Sequence, residues 1–141
     1  MIVPRSILTV VVTIIGLLTV LYIGEQFLLH GPPAARTAAS LDLEIRSIRP
    51  PNASAMVKHR VSWKPGWALA TESYATSLSR QEIQDYYSGA LKSQGWISGP
   101  ARKSWALAGI PLVYHKNDRE LHLSFSDSGR RLYTISLLWI E

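Results

Sequence analysis

Two histidines, His115 and His122, are the side chains of this sequence whose type and spacing come nearest to a chemical site. They flank a polar stretch that predicts a tight turn between two strands. If Asp118-Arg119 forms the turn, the two imidazoles lie opposite each other, where such a pair can bind a metal or sense pH. If the turn starts one residue earlier, His115 faces Glu120. No third ligand stands at a convincing spacing, so we expect two solvated histidines, without metal or cofactor.

Five tryptophans form the second group of candidates. Trp63 and Trp67 flank Lys64-Pro65-Gly66, a typical turn sequence because proline presets φ and glycine accepts positive φ. Exposed indoles stack on sugars, peptides or lipid headgroups, whereas buried indoles fill a small core. Trp105 stands in a longer loop and is the best candidate for exposure. The possible binding surface comprises Trp63, Trp67, Trp105, Arg102, Lys103, His115 and His122.

Motifs for catalysis are missing from the sequence. It has no Gly-x-Ser-x-Gly elbow, no glycine-rich phosphate loop, no His-Glu-x-x-His and no calcium loop. With no cysteine, it has no thiol nucleophile, thiolate zinc site or disulfide. We therefore expect a protein that is not an enzyme and that has no catalytic residue.

The net charge of +5 suits either an ordinary solvated surface or attraction to anionic partners. The basic residues are scattered, without a block of five or six like charges, so we expect no nucleic-acid partner.

The elements that position these residues begin with an apolar run. No charge interrupts the chain between Arg5 and Glu25. A helix of about 20 such residues crosses a hydrocarbon core of about 30 Å. The run is too long for a typical cleaved signal, and no good cleavage site follows it. The sequence predicts a short cytoplasmic tail over residues 1–5 and an uncleaved transmembrane anchor over residues 6–29.

The flanking charges do not decide the orientation of the anchor in the membrane, because few Lys and Arg residues lie on either side of the apolar run. The very short N-terminal tail favours an N-in, C-out arrangement. We therefore expect a single-pass protein of the cytoplasmic (inner) membrane, with its C-terminal domain extracytoplasmic, which means periplasmic in a Gram-negative cell.

A linker and a strand are predicted next. Gly31-Pro32-Pro33 should stop the helix near Leu29, because proline lacks the N–H and clashes with the preceding turn. Residues 30–40 therefore read as a linker. Leu41, Leu43 and Ile45 alternate with polar residues, which predicts a half-buried strand over residues 41–48.

The rest of the chain, residues 41–141, predicts one small domain. Ser79 and Glu82 form a capping box, which starts an amphipathic helix over about residues 80–94, ended by Gly95. Strands are predicted over residues 56–62, 67–77, 96–98, 112–116, 120–126 and 132–140, with a hairpin turn at 127–129. The expected fold is α+β, with an antiparallel sheet and one packed helix in two layers.

Part of this pattern resembles a known module. Tyr86-Tyr87, Leu91 and Gly95-Trp96 give a helix of the type YY-x3-L-x3-GW, followed by a β-meander. It is similar to small membrane-anchored or exported bacterial proteins of unknown function. The resemblance implies the same fold and location, and no activity.

The functional expectation follows from these elements. A tethered domain without catalytic motifs is typical of an accessory or scaffold subunit of a cell-envelope assembly, which binds another envelope protein through a helix face or a sheet edge. The alternative is a module that binds cell-wall or anionic polymer through exposed tryptophans and basic residues. The two hypotheses differ in whether the indoles are exposed together.

Overall fold

The computed structural model of the chain describes residues 5–102, 112–126 and 131–141. Within these ranges lie two helices, α1 (Arg5–Ser47) and α2 (Arg80–Ser93). The strands are β1 (Ser54–Lys64), β2 (Trp67–Thr76), β3 (Ile97–Ser98), β4 (Leu112–Lys116), β5 (Arg119–Phe125) and β6 (Leu132–Ile140). They form one antiparallel sheet in the order β1-β2-β6-β5-β4-β3, so the predicted α+β fold is confirmed.

The first helix is longer than predicted, and both the linker over residues 30–40 and the strand over residues 41–48 are wrong. Two patterns overlap in this stretch. The alternation that predicted a strand includes Leu43, which is 74% exposed. A second pattern recurs at spacings of three and four residues, which is the helical period. Its members, each no more than 2% exposed, are Ala34, Ala38, Leu41, Ile45 and Ile48. We call these five residues the α1 stripe.

Burial of the α1 stripe explains why the helix continues through Pro32 and Pro33. A proline inside a helix costs about 3 kcal/mol, because a backbone hydrogen bond is lost and the ring crowds the preceding turn. Full burial of one leucine or isoleucine side chain contributes about 1.5–3 kcal/mol. The stripe holds three such side chains, and their combined burial offsets the strain of the two prolines.

One face of the sheet carries the core, and both helices supply side chains to it. α1 contributes its stripe from Ala38 onward, and α2 contributes Ile83, Tyr87 and Leu91. The sheet contributes Ala68, Ala70 and Tyr74 from β2, Leu121 and Leu123 from β5, and Tyr133, Ile135 and Leu137 from β6. The domain thus has two packed helices, whereas the sequence predicted one.

The second helix is confirmed with its predicted caps. Ser79 Oγ accepts the Glu82 backbone N–H, and the Glu82 carboxylate accepts the Ser79 backbone N–H. Gly95 has φ +84°, the left-handed conformation that ends many helices. The strands also lie close to their predicted positions. The hairpin turn predicted at residues 127–129 falls outside the described residues.

The α1 stripe yields a direct test of the helical register. We expect Ile45→Ala to destabilise the protein by about 2–5 kcal/mol, because it leaves a cavity in the core. Leu43→Ala removes an exposed side chain and should change stability by less than about 0.5 kcal/mol. Urea unfolding of the full-length chain in mild detergent, followed by tryptophan fluorescence, measures both. Equal losses in the two variants would contradict the helix and restore the alternating strand.

Candidate functional site

The two histidines do not pair with each other. His115 lies opposite Glu120 in the β4–β5 register, and the turn between the strands is formed by Asn117 and Asp118. Asn117 has φ +56°, a conformation that asparagine tolerates better than most residues. Of the two turns considered from the sequence, the structure has the one that places His115 against Glu120.

Glu120 is the centre of a small polar cluster on the sheet face away from the helices. His122 Nε2 lies 2.9 Å from Glu120 Oε2, and the Arg102 backbone N–H donates to Glu120 Oε1 at 2.8 Å. His115 Nε2 donates to the Pro100 carbonyl at 2.6 Å, and its Nδ1 lies 3.8 Å from Glu120 Oε1. Glu120 is 9% exposed and His122 is 7% exposed, so both side chains are buried. The expectation of two solvated histidines is therefore wrong for His122.

The electrostatics of this cluster favour a charged carboxylate. Burial raises the pKa of Glu120, but the hydrogen bonds from His122 and the Arg102 backbone outweigh it and hold that pKa below its ordinary value. Among the residues that the structure describes, no three His, Cys, Asp or Glu side chains are placed to hold a metal ion. The geometry indicates a satisfied buried carboxylate that joins β4, β5 and the segment around Arg102.

Trp63 and Trp67 of the predicted binding surface lie on opposite faces of the sheet. Trp63 pairs with Ala68 on the helix-facing side of the sheet and is 44% exposed. Trp67 pairs with Lys64 on the opposite side, where Lys64 Nζ lies 5.5 Å from the Trp67 ring centre. Trp105 and Lys103 lie outside the described residues.

Arg102 belongs to the Glu120 cluster rather than to the tryptophans. Its guanidinium donates to the Asn117 carbonyl at 2.9 Å. The structure therefore groups Arg102, His115 and His122 around Glu120. Strand β6 separates this group from Trp67 in the sheet.

A second buried carboxylate, Glu72, was missed from the sequence. It is 1% exposed and faces the helices from β2. The Tyr74 hydroxyl donates to Glu72 Oε2, and His59 Nδ1 lies 3.2 Å from Glu72 Oε1. Burial and the neighbouring Glu72 raise the pKa of Tyr74, so this phenol keeps the proton that it donates.

The Glu72 contacts continue onto the first helix. His59 Nε2 lies 2.9 Å from Asp42 Oδ1, and Arg46 Nε donates to the same oxygen at 2.8 Å. The hydrogen bond from Arg46 lowers the pKa of Asp42. These side-chain contacts connect α1 to β1 and β2. The sequence feature that could have revealed Glu72 is its position in β2, where it alternates in step with the inward-facing Ala68, Ala70 and Tyr74.

Strand β1 forms the long open edge of the sheet, and the two-residue strand β3 lies at the opposite edge. β1 is first in the strand order, and no described strand pairs with its outer side. Its exposed apolar side chains are Met56, Val57, Val61 and Trp63. A long edge strand with exposed apolar residues is a template for pairing with another chain.

Backbone groups along this edge point outward in a regular pattern. The Thr76 N–H donates to the Arg131 carbonyl, and the Glu141 N–H donates to the Gly66 carbonyl. Even-numbered residues of β2 therefore bond to β6, and odd-numbered residues bond to β1. Because bonding alternates along antiparallel strands, the outward N–H and C=O groups of β1 between Lys58 and Lys64 belong to His59, Val61 and Trp63.

Comparison of the chain with family models, curated proteins and solved structures found no match. The candidate site is thus defined by its own geometry as the open edge of β1 and the hairpin, residues 63–67, in which that strand ends.

The Glu120 cluster gives a pH-dependent prediction. A carboxylate with a lowered folded-state pKa stabilises the protein above its unfolded-state pKa, and this contribution is lost as the pH falls through the folded-state value. We expect Glu120→Gln to cost about 1–3 kcal/mol near neutral pH, the usual effect of losing a charged, buried hydrogen-bonding group. The difference from wild type should shrink as the pH falls below 4.5.

Urea unfolding of both proteins at several pH values in detergent measures this difference. Asp85→Asn, on the exposed face of α2, is the matched control and should change stability little at any pH. A Glu120→Gln penalty that stays constant into the acid range would show that the Glu120 carboxylate is not stabilised in its charged form.

Proposed function

We propose that this chain is a single-pass membrane protein whose domain is a non-enzymatic accessory or scaffold subunit of a cell-envelope assembly. In this proposal residues 6–29 of α1 are the anchor, the N-terminus is cytoplasmic and the domain lies outside the cytoplasmic membrane. The domain binds another envelope protein along the open edge of β1. The observation that carries the proposal is that edge, with its outward backbone groups and exposed apolar side chains.

The surface of α1 supports the anchor. The helix is long and apolar enough to cross a membrane, and its most apolar window has a mean hydropathy of 1.9 with none of it buried. Large apolar side chains from Val10 to Leu29 are exposed all along it. Soluble proteins rarely expose so large an apolar surface, and a bilayer is a medium that would cover it.

The chemistry of β1 indicates the kind of segment that it would bind. An extended segment can pair with the outward groups of His59, Val61 and Trp63 as a seventh strand. Lys58 and Arg60 are exposed on the same strand. The partner segment is thus proposed to be extended, with apolar side chains toward Val57 and Val61 and acidic side chains toward these two cations. Tethering on the same membrane raises the effective concentration of both proteins.

The alternative of a polymer-binding module requires indoles that are exposed together. Trp63 and Trp67 lie on opposite sides of the sheet, so one sugar ring or polymer segment cannot stack on both from one side. This observation favours protein binding over polymer binding.

The test compares two substitutions at one edge position. Val61→Pro removes an outward N–H and leaves the bonds between β1 and β2 in place, since proline is tolerated on edge strands. Val61→Ala shortens the same side chain and keeps the N–H. Full-length chains carrying a photo-crosslinking residue at Val57 are expressed in the source cells, and crosslinked proteins are identified after purification in mild detergent.

We expect one envelope protein to crosslink to the parent and to Val61→Ala. The yield of this crosslinked product should fall at least about tenfold in Val61→Pro, because loss of a backbone hydrogen bond worth about 1.4 kcal/mol or more weakens binding by that factor. Far-UV circular dichroism checks that all variants fold. An unchanged yield in Val61→Pro, or no crosslinked protein at all, would exclude the β1 edge as the binding surface.

A further inference from the structure

The hairpin between β1 and β2 lies at the end of the domain from which the anchor helix emerges. A Cβ atom built on Gly31 would lie 3.8 Å from Trp63 Cζ3, so the indole packs beside the helix at this residue. His30 Nδ1 lies 2.9 Å from Glu141 Oε2, at the end of β6. The hairpin and the end of β6 therefore both flank residues 30 and 31 of α1.

Two contacts give the direction in which the hairpin points. α1 touches Trp63 at Gly31 and touches His59 at Asp42. From Gly31 to Asp42 the helix rises about 16 Å away from the apolar run. From His59 to Trp63 the strand returns about 13 Å in the opposite direction. β1 thus runs back toward the anchor, and Pro65 and Gly66 at the hairpin tip lie nearer to it than Trp63.

The length of helix between the apolar run and Gly31 gives the distance of the hairpin from the hydrocarbon core. Glu25 is the first charge after the apolar run, and Gly31 follows six residues later, about 9 Å further along the helix axis. The polar layer of a bilayer is about 5–8 Å thick on each side of the hydrocarbon core. The hairpin tip, which extends from Trp63 toward the anchor, therefore reaches the level of the lipid headgroups.

The residues at this level have the chemistry of a membrane interface. Trp63 is 44% exposed, and Phe27, 53% exposed, lies on the neighbouring turn of α1 beside Gly31. Trp67 and Lys64 occupy the other side of the hairpin, with Lys64 Nζ over the indole. Tryptophan is enriched at headgroup level, and lysine near the surface is attracted to anionic lipids.

We propose that the β1–β2 hairpin binds the headgroup layer of the bilayer that α1 spans. The indoles of Trp63 and Trp67 lie at the interface, and Lys64 Nζ contacts anionic lipid phosphates. This proposal rests on the anchoring of α1 in the proposed function. The occupant is the lipid leaflet because α1 joins the hairpin to the bilayer without a flexible linker. The hairpin is a second attachment point, which fixes the height and tilt of the domain.

Because the chain has no cysteine, single labels can test this arrangement at chosen positions. Pro65→Cys, at the hairpin tip, and Lys64→Cys, beside it, each carry an environment-sensitive fluorophore. Asn52→Cys, in the exposed turn before β1, is the control at the far end of that strand. Gly16→Cys reports on the anchor, where a Cβ meets no atom within 4 Å. The full-length proteins are placed in vesicles of phosphatidylcholine and phosphatidylglycerol with spin-labelled lipids.

We expect headgroup spin labels to quench the fluorophores at positions 64 and 65 several-fold more strongly than the one at position 52. Acyl-chain spin labels should quench the fluorophore at position 16. If position 16 is quenched and positions 64 and 65 behave like position 52, the anchor stands and the hairpin proposal is wrong. If position 16 is not quenched by acyl-chain labels, the anchoring itself is wrong.

The role of Lys64 has its own matched pair. Lys64→Glu reverses the charge at the hairpin, and Lys58→Glu reverses an exposed charge on the same strand, about 20 Å away. With the fluorophore at position 65, we expect Lys64→Glu to weaken headgroup quenching in anionic vesicles and Lys58→Glu to leave it unchanged. Equal quenching in the two variants would overturn the contact between Lys64 and lipid phosphate.

Discussion

The packing of the α1 stripe against the sheet is the contact on which the other features depend. Leu41, Ile45 and Ile48 fill the core beside Ala68 and Ala70 of β2, and they belong to the same continuous helix as the apolar run. The helix also supplies Asp42, which pairs with His59 next to the buried Glu72 carboxylate. A buried carboxylate without such partners would be strongly destabilising. The register of α1 on the sheet is therefore fixed by both apolar packing and charge.

A consequence of this packing is that one continuous helix joins the apolar run to the domain. A flexible linker would let the domain take many orientations relative to the apolar run, whereas a continuous helix fixes the orientation of the sheet relative to that run. The edge of β1 and the hairpin at its end are held at a defined distance from the apolar run. The same continuity means that the folded unit begins before residue 41, since Ala34 and Ala38 of the stripe are buried.

Local sequence signals were sufficient for most elements. The capping box of Ser79 and Glu82 predicts α2 because both hydrogen bonds form within one turn. Alternation over residues 120–126 predicts β5 because one face of a half-buried strand lies on the core. The nearly continuous apolar run over residues 132–140 predicts β6 because a central strand is covered on both faces. In the last part of α1, residues 41–45 fit both an alternating strand and the helical α1 stripe. The helix forms because the sheet buries the stripe, and a contact with a distant sheet cannot be predicted from a local pattern.

Other features depend equally on contacts between distant residues. The position of β6 between β2 and β5 sets which strand is left at the edge, and strand order cannot be read from alternation. The site around Glu120 depended on which residue begins the β4–β5 turn, and Asn117 with its positive φ decides this. The alternation of β2 places Glu72 on the inward face of the strand. Its contact with His59, and the contact of His59 with Asp42, can be predicted only if residues 41–47 are known to be helical.

Hydrogen exchange of the full-length chain in a bilayer reports directly on whether α1 is continuous. The amides to follow are those of residues 36–40, beyond the two prolines and within the segment whose sequence is typical of a linker. We expect these amides to exchange slowly, at rates similar to those of α2, while the exposed turn at Asn52 and Ala53 exchanges fast. Exchange of residues 36–40 as fast as that turn would contradict a continuous helix and the fixed mounting of the domain.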